Sequence, residues 1–383
     1  MRAIMSVWDM ILWGVATLFL LMTLSMLYHL RWAKRLPALD NLKPRGLRVS
    51  AVVAARNEEA RIEQTIRRLL AQEGVEMEVI VVDDRSTDGT GEILRRLGEG
   101  RGVKPLRVDV LPEGWLGKCY ACHLGAAEAS GEWILFTDAD CWLKPDVIAR
   151  ALKVAERESV DHIALTPGVP AEGPAVQAWH LAFLLTLGNW FSGVNRDHPK
   201  AYLGMGAFNL VRASAYRECG GYEALRLTVL DDVRLGLLLR RAGKRTRGFI
   251  GGDDTECHWS PSARGMIRIM EKNYFAAMDY RTIAALIAPA IGFAVWGAAI
   301  VGPFTGTAAG WGAICGMFSL AWPAGKIASR LGWSRATALL TPLIFPVLFY
   351  AMLNSAVVTL RAGGIRWRET FYPLDALRRS GIR

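Results

Sequence analysis

The chain has 383 residues, 52% of them hydrophobic, with a mean hydropathy of +0.20 and a formal net charge of +10. That length suits one large domain with additions, and so apolar and basic a chain reads as a membrane protein with cationic segments near anionic headgroups. Nucleic acid, the rival reading of the charge, is set aside: no binding module is recognisable, and long apolar runs fit it badly. Six scattered cysteines make no disulfide framework, so a reducing compartment is the default.

From Met10 to Tyr28 the chain carries no charge, long enough for a helix that crosses the hydrocarbon core. Arg31, Lys34 and Arg35 follow at once and place the next segment in the cytoplasm. No small-x-small cleavage site follows either, so residues 1–35 are expected to be an uncleaved anchor rather than a signal peptide.

Residues 48–281 read as an α/β domain. "RVSAVVAA" (48–55), "EVIVVDD" (78–84) and "EWILFTDAD" (132–140) are strand-like runs, each ending in polar residues. Between them lie helical stretches such as 58–72, where Ile62, Ile66, Leu69 and Leu70 mark one apolar face. This alternation implies a Rossmann-like, mostly parallel sheet with helices on both faces. Ligands then bind beyond the carboxyl ends of the strands, where the acidic clusters fall.

Three such clusters stand out. Asp83-Asp84 opens "DDRSTDGT", which equally suits an Asx-rich turn before a helix. Asp138-Ala139-Asp140 ends a strand, and carboxylates so spaced can hold Mg²⁺ or Mn²⁺ against a diphosphate. Asp231-Asp232 starts a helical pattern, either as an N-cap pair favoured by the helix dipole or as a general base near a reacting hydroxyl. Between the first two clusters, "GKCYACHLG" (117–125) has the C-x-x-C-H spacing of c-type haem attachment in Cys119, Cys122 and His123. Haem attachment belongs on the other side of the membrane from the one the basic flank predicts. A zinc site would need more ligands than this cluster offers. The pair is read as two reduced, packed thiols, with no haem.

Farther on, 174–193 is either a helix on the bilayer surface or a buried core helix. After Arg281 come three apolar runs, 282–301, 303–325 and 336–360, the last containing Pro342 and Pro346. The tail, 361–383, is strongly basic. Three full crossings would put it opposite the α/β domain, while its arginines vote for the same side; 336–360 is the expected re-entrant segment.

Taken in order, "VAARNEEARI" (53–62), "VVDDRSTDGT" (81–90), "FTDADCWLKPD" (136–146) and "LDDVRLGLLLRRAG" (230–243) resemble the four elements of glycosyltransferase family 2. These are inverting enzymes of the GT-A fold. The likeness covers roughly residues 48–280. It is strongest to membrane-anchored members of hopene-associated, carotenoid and ceramide type, which share the Trp115–Gly125 segment and the Trp367–Pro373 tail.

The resemblance implies that Glu58, Asp83 and Asp84 contact the nucleotide. Asp138 and Asp140 would position the diphosphate through Mg²⁺ or Mn²⁺, with Asp140 the direct ligand. Asp232, next to Asp231, would deprotonate the acceptor hydroxyl. "GMGAFNLVR" (204–212) resembles the acceptor-side strand, with Gly204 and Gly206. Lys118 is either a phosphate ligand or a solvated lysine at a helix start. Arg264, Arg268 and Lys272 share one helix face and serve either the leaving diphosphate or lipid headgroups. Processive synthases carry a Trp after their arginines that "SARGMIRIMEKN" lacks; Trp259 and Trp367 are the candidate acceptor-side replacements. The expected function is transfer of one sugar from a nucleotide sugar, UDP-linked first, to a lipid acceptor by a multi-pass enzyme at the cytoplasmic face of the cell membrane. A processive polysaccharide synthase and a non-catalytic nucleotide-binding module are the alternatives.

Overall fold

The computed structural model describes residues 6–38, 46–100, 102–170, 173–258, 262–380 and 382. The chain divides into two compact units, one of Ala33–Pro170, Trp190–Trp259 and Arg379–Arg383, the other of Met1–Trp32, Ala171–Asn189 and Ser260–Arg378.

The first unit is built on an eight-stranded sheet: β1 (Arg48–Ala55), β2 (Glu76–Asp84), β3 (Val103–Val108), β4 (Trp133–Asp138), β5 (Cys141–Leu143), β6 (His162–Gly168), β7 (Asn209–Arg212) and β8 (Thr246–Cys257). Their spatial order is β3-β2-β1-β4-β7-β6-β8-β5. β3, β2, β1 and β4 are parallel, as are β6 and β8; β7 runs antiparallel to both its neighbours, and β5 antiparallel to β8. The expected parallel sheet is therefore present, with two antiparallel insertions.

Alternation along β2 puts a core on each face. Val79 and Val81 pack in one cluster with Ile62, Ile66 and Leu69 of the helix Ile62–Leu70. Ile80 and Val82 pack in another with Ala121 of the helix Gly117–Ala127. The register pairs Ala55 with Asp83 and Ala54 with Asp138, so the first two acidic clusters emerge at one edge. β7 pairs Asn209 with Phe136, which brings the preceding Gly204–Gly206 turn to the same edge.

In the second unit, three helices are long and apolar enough to cross a membrane: Val7–His29, Thr282–Thr305 and Arg335–Ala362. Ser6 and Asp9 close a reciprocal cap on the first. Phe19 meets Trp296 edge to face at 4.6 Å, and Trp296 Nε1 donates to the Pro342 carbonyl at 2.8 Å. Gly312 and Gly316 let the helix Ala308–Ser319 press on Trp13 and the Ala16 backbone, as small residues do between membrane helices.

The C-terminal apolar runs divide differently from expectation. The run 303–325 is broken: Gly306 takes φ +70°, and the helices Ala308–Ser319 and Ala321–Arg330 follow as short pieces. By contrast, 336–360 lies within a long apolar helical stretch. Pro342 sits in the first turn of Thr341–Ala362, where a missing N–H costs nothing, and only Pro346 falls inside. The stretch 174–193 is helical within Pro174–Asn195, with Trp179, Leu181, Ala182, Leu184 and Phe191 buried, which favours the core-helix alternative.

Candidate active site

The site lies in the first unit, at the edge where β1, β2 and β4 end. Asp83 closes β2, and both its oxygens are taken by the chain: Oδ1 accepts the Ser86 N–H at 2.9 Å and Oδ2 accepts Arg107 Nη1 at 3.0 Å. Asp84 accepts a bidentate pair from Arg85, Nε at 2.7 Å and Nη2 at 3.2 Å, with Arg56 Nη1 3.6 Å away. This turn is tied to the loop after β1. Asn57 Oδ1 accepts the Thr87 N–H at 2.8 Å, and the Glu58 N–H donates to Thr90 Oγ1 at 2.8 Å. Both Asn57 and Arg85 sit in the left-handed region, φ 55° and 59°, which is uncommon for an arginine. Gly117 opens the next helix against this turn; a Cβ there would overlap Asp84 Oδ2.

Lys118, one residue on, is paired rather than solvated. Its Nζ lies 2.7 Å from Asp138 Oδ1 and 3.7 Å from Asp231 Oδ1, and the side chain is 25% exposed. Burial alone would weaken its hold on the proton, but Asp138, Asp231 and Asp232 outweigh it and keep the ammonium well above its ordinary range.

Asp231 and Asp232 begin the helix Asp231–Arg241. Asp231 is buried and accepts the Tyr222 hydroxyl at 3.0 Å. Asp232 is partly buried; its Oδ2 accepts the Gly206 N–H at 2.7 Å and its Oδ1 the Val233 N–H at 2.8 Å. Burial, then the charges of Asp231 and Asp138, push its carboxyl up to about 6 against the pull of Lys118. Gly206 also accepts the Asp138 N–H at 3.0 Å. A Cβ on Gly206 would overlap Asp138 Oδ2, and one on Gly204 would overlap the Asp232 carbonyl. The two glycines are thus the joint that aligns the end of β4 with the start of the Asp231–Arg241 helix.

Asp140 lies beyond β4, and burial, aided by Asp138, raises its carboxyl above the usual range. Its Oδ1 accepts the thiols of Cys257 at 3.6 Å and Cys141 at 3.7 Å. Its carbonyl accepts the His258 N–H at 3.1 Å. The His258 ring rests on Trp142 with centroids 3.9 Å apart, and its buried Nε2 has no hydrogen-bond partner among the described residues.

This donor set fits a divalent cation. Among the described residues Lys118 lies within 4 Å of Asp138 and Asp231, and Asp232 and Asp140 feel Lys118 and Arg61 respectively at longer range, so four carboxylates face two cations and a surplus of negative charge remains. Asp138 and Asp140 offer the hard oxygen ligands that Mg²⁺ and Mn²⁺ take, and His258 an unsatisfied nitrogen.

Arg264 and Arg268 are exposed on the helix Ala263–Met270 of the second unit. There, Lys272 Nζ sits over the Trp367 ring at 3.5 Å. Trp259 falls outside the described residues. Cys119 and Cys122 are buried free thiols, Cys119 facing the Thr228 carbonyl at 3.4 Å, while His123 packs on Trp115 with centroids 5.0 Å apart. Sequence reasoning missed Gly117, Tyr222, Arg85, Cys141, Cys257 and His258. Arg85 sits in a quoted motif, yet its pairing partner is visible only once the turn is folded.

Residues 50–220 match the family described as Glycosyl transferase family 2. A 4,4'-diaponeurosporenoate glycosyltransferase of Staphylococcus haemolyticus is 27% identical over 207 residues, 53% of this chain and 54% of that protein. The succinoglycan biosynthesis protein ExoO of Rhizobium meliloti is 35% identical over 120 residues, 31% of this chain and 32% of that one. The chain thus spans about half the length of the first relative and about a third of the second. A mannosyltransferase from Pyrobaculum calidifontis, solved with GDP-Man and Mn²⁺, superposes with a TM-score of 0.53 at 18% identity, over 91% of this chain and 99% of its own. That likeness establishes a shared GT-A architecture. Residues 50–220 thus match glycosyltransferase family 2 on a GT-A-like fold, and among the described residues three helices are long and apolar enough to cross a membrane.

Proposed function

We propose that the chain is an inverting glycosyltransferase that moves one sugar from a nucleotide-diphosphate sugar to the hydroxyl of a membrane lipid at the cytoplasmic face. The observation that carries this is Asp232, a carboxyl raised to about 6 and aligned through Gly206 with the end of β4. A base with that pKa is ionised at neutral pH yet basic enough to take a proton in the transition state. Asp232 takes the acceptor proton as the hydroxyl attacks the anomeric carbon from the face opposite the leaving diphosphate, so the configuration inverts. Asp231, fixed by Tyr222 and Lys118, keeps the pKa of Asp232 high. Lys118 holds Asp138 in place and has further N–H donors to offer the diphosphate. A divalent cation on Asp138 and Asp140 would supply charge neutralisation of the leaving diphosphate. Glu58, Asp83 and Asp84 are assigned to the nucleotide, with Asp83 also shaping the turn through the Ser86 N–H and Arg107 that it accepts. Gly204 and Gly206 are assigned to the acceptor side, and Arg264 and Arg268 to the diphosphate or to headgroups.

The basic residues Arg31, Lys34 and Arg35 after the first apolar helix support a cytoplasmic site, and the three long apolar helices support a lipid acceptor. UDP-sugars are the first donors to test. GDP-mannose comes next, because the Pyrobaculum enzyme of the same fold was solved with it. The test is release of nucleoside diphosphate by purified protein in lipid, across a donor panel, with the product anomer read by NMR. Lipid-dependent release with inversion, lost on chelation and restored by Mn²⁺ or Mg²⁺, is expected. Full transfer after exhaustive chelation would remove the metal role, and a retained anomer would remove the mechanism.

A further inference from the structure

We propose that Asp140, Cys141 and Cys257 form a site for a thiophilic divalent cation of the Zn²⁺ class, distinct in ligand chemistry from the hard-cation site that shares Asp140. Cys141 and Cys257 face one another across the antiparallel pair β5–β8. Both are fully buried, and their sulfurs and an Asp140 oxygen all lie within 4.8 Å of one another. The thiols approach the same atom, Asp140 Oδ1, at 3.7 and 3.6 Å. In a tetrahedral zinc site, bonds of about 2.3 Å to sulfur and 2.0 Å to oxygen put neighbouring ligand atoms roughly 3.5 Å apart. The two sulfur–oxygen edges already match such a tetrahedron, and the two sulfurs lie within 4.8 Å of each other. The neighbouring His258 has a buried Nε2 that bonds to nothing among the described residues, but it stands outside the three-residue group.

Binding exchanges two thiol protons for one cation: two S–H bonds break, two sulfur–metal bonds form, two protons leave to solvent, and no electron moves. Thiolate ligands favour zinc over magnesium or manganese. Capture of Asp140 would then withdraw it from the hard cation, so zinc becomes a reversible inhibitor. That last consequence rests on the proposed function; the site itself does not.

The test uses the full chain in detergent, reduced and metal-free, titrated with Co²⁺ as the spectroscopic stand-in for zinc. The expected result is a thiolate-to-cobalt band in the near ultraviolet that saturates at one equivalent and is displaced by Zn²⁺. Cys141→Ser and Cys257→Ser should each weaken binding by more than the ~10–100-fold that loss of an outer-shell partner costs. The Cys119→Ser/Cys122→Ser double variant should keep the band. In transfer assays with Mn²⁺, added Zn²⁺ should inhibit the wild type far more than either Cys141→Ser or Cys257→Ser. Absence of the band in the wild type, or its loss in the Cys119/Cys122 variant alone, overturns the site. Equal zinc inhibition in wild type and both single variants overturns the competition. A band with no transfer from any donor overturns the proposed function and leaves the cation site standing.

Discussion

Two groups of aspartates stand at the same edge of the sheet and differ in what neutralises them. Asp83 and Asp84 are met by guanidinium groups, from Arg107 on one and from Arg85 and Arg56 on the other. Asp138, Asp231 and Asp232 share the ammonium of Lys118, and Asp140 has only the longer-range charge of Arg61. A carboxylate held by its own arginine acts as a fixed acceptor. Burial first, and then neighbouring carboxylates with too little positive charge between them, make Asp140 and Asp232 hold protons more tightly, and such a cluster attracts a divalent cation. The counter-charge, more than the residue type, separates a recognition end from a reacting end.

The sharpest way to break that contrast is Asp232→Asn. Asparagine keeps the size and an acceptor for the Gly206 N–H but cannot take a proton. Transfer should fall by about 10²–10⁴-fold, the usual contribution of a positioned base, while donor binding measured by calorimetry persists. The sign of the pH dependence follows from the same carboxyl. Asp232 must be ionised to act, so kcat/KM should fall as pH drops through about 6. Asp231→Asn should be milder, since the amide still accepts from Tyr222. Near-normal transfer by Asp232→Asn would return both aspartates to a purely structural role.

Gly206→Ala attacks the alignment instead of the chemistry. Its Cβ would overlap Asp138 Oδ2, while its N–H is the anchor of Asp232. Displacing two reacting groups by as little as an ångström can cost about 10²-fold in rate. We expect a loss of that order in kcat with a smaller change in donor affinity; an unchanged kcat would show that the joint is not rate-determining. Lys118→Met tests the shared cation more gently. Removing the charge that holds Asp232 down should move the acid limb of the pH profile to higher pH, and leaving buried carboxylate oxygens unpaired should cost about 1–3 kcal/mol of stability. A limb that stays put or moves down would show that Lys118 does not set the base.

Much of this contrast was legible before folding, and the part that was not has a common cause. β1 spans the same eight residues in both readings, because a β-branched run bounded by polar residues is a local signal. The acidic clusters at strand ends and the Asp231 helix start were legible for the same reason. Partners distant in sequence were not: Lys118 reaches Asp231, and Cys141 meets Cys257 through strand register alone. The antiparallel β7 was hidden too, since a short strand shows no direction in its residues. In the apolar half, hydropathy counted 303–325 as one run, yet the left-handed Gly306 and the helix restart at Ala321 divide it. The spacing puts Arg264, Arg268 and Lys272 on one helix face; Arg264 and Arg268 are exposed on the helix Ala263–Met270, but that helix ends before Lys272, which caps the next one.

The smallest expected effect is at the arginine-rich end, and it sharpens the comparison from the other side. Arg107 is 56% exposed and reaches Asp83 at 3.0 Å while also pairing with Asp109 at 3.0 Å. Exposed pairs of this kind contribute about 0–1 kcal/mol, because solvent screens them and ordering the side chain costs entropy. In Arg107→Ala, Asp83 would still accept the Ser86 N–H, so the turn should keep its shape. Thermal unfolding should shift by at most a few degrees, kcat should be unchanged, and any effect should appear in the KM for the donor. If Arg107→Ala instead depressed kcat as deeply as Asp232→Asn does, with donor KM untouched, the division into a recognition end and a reacting end would be wrong. The arginines would then be part of the chemistry, and the balance of charge along this edge would have to be redrawn around all six aspartates.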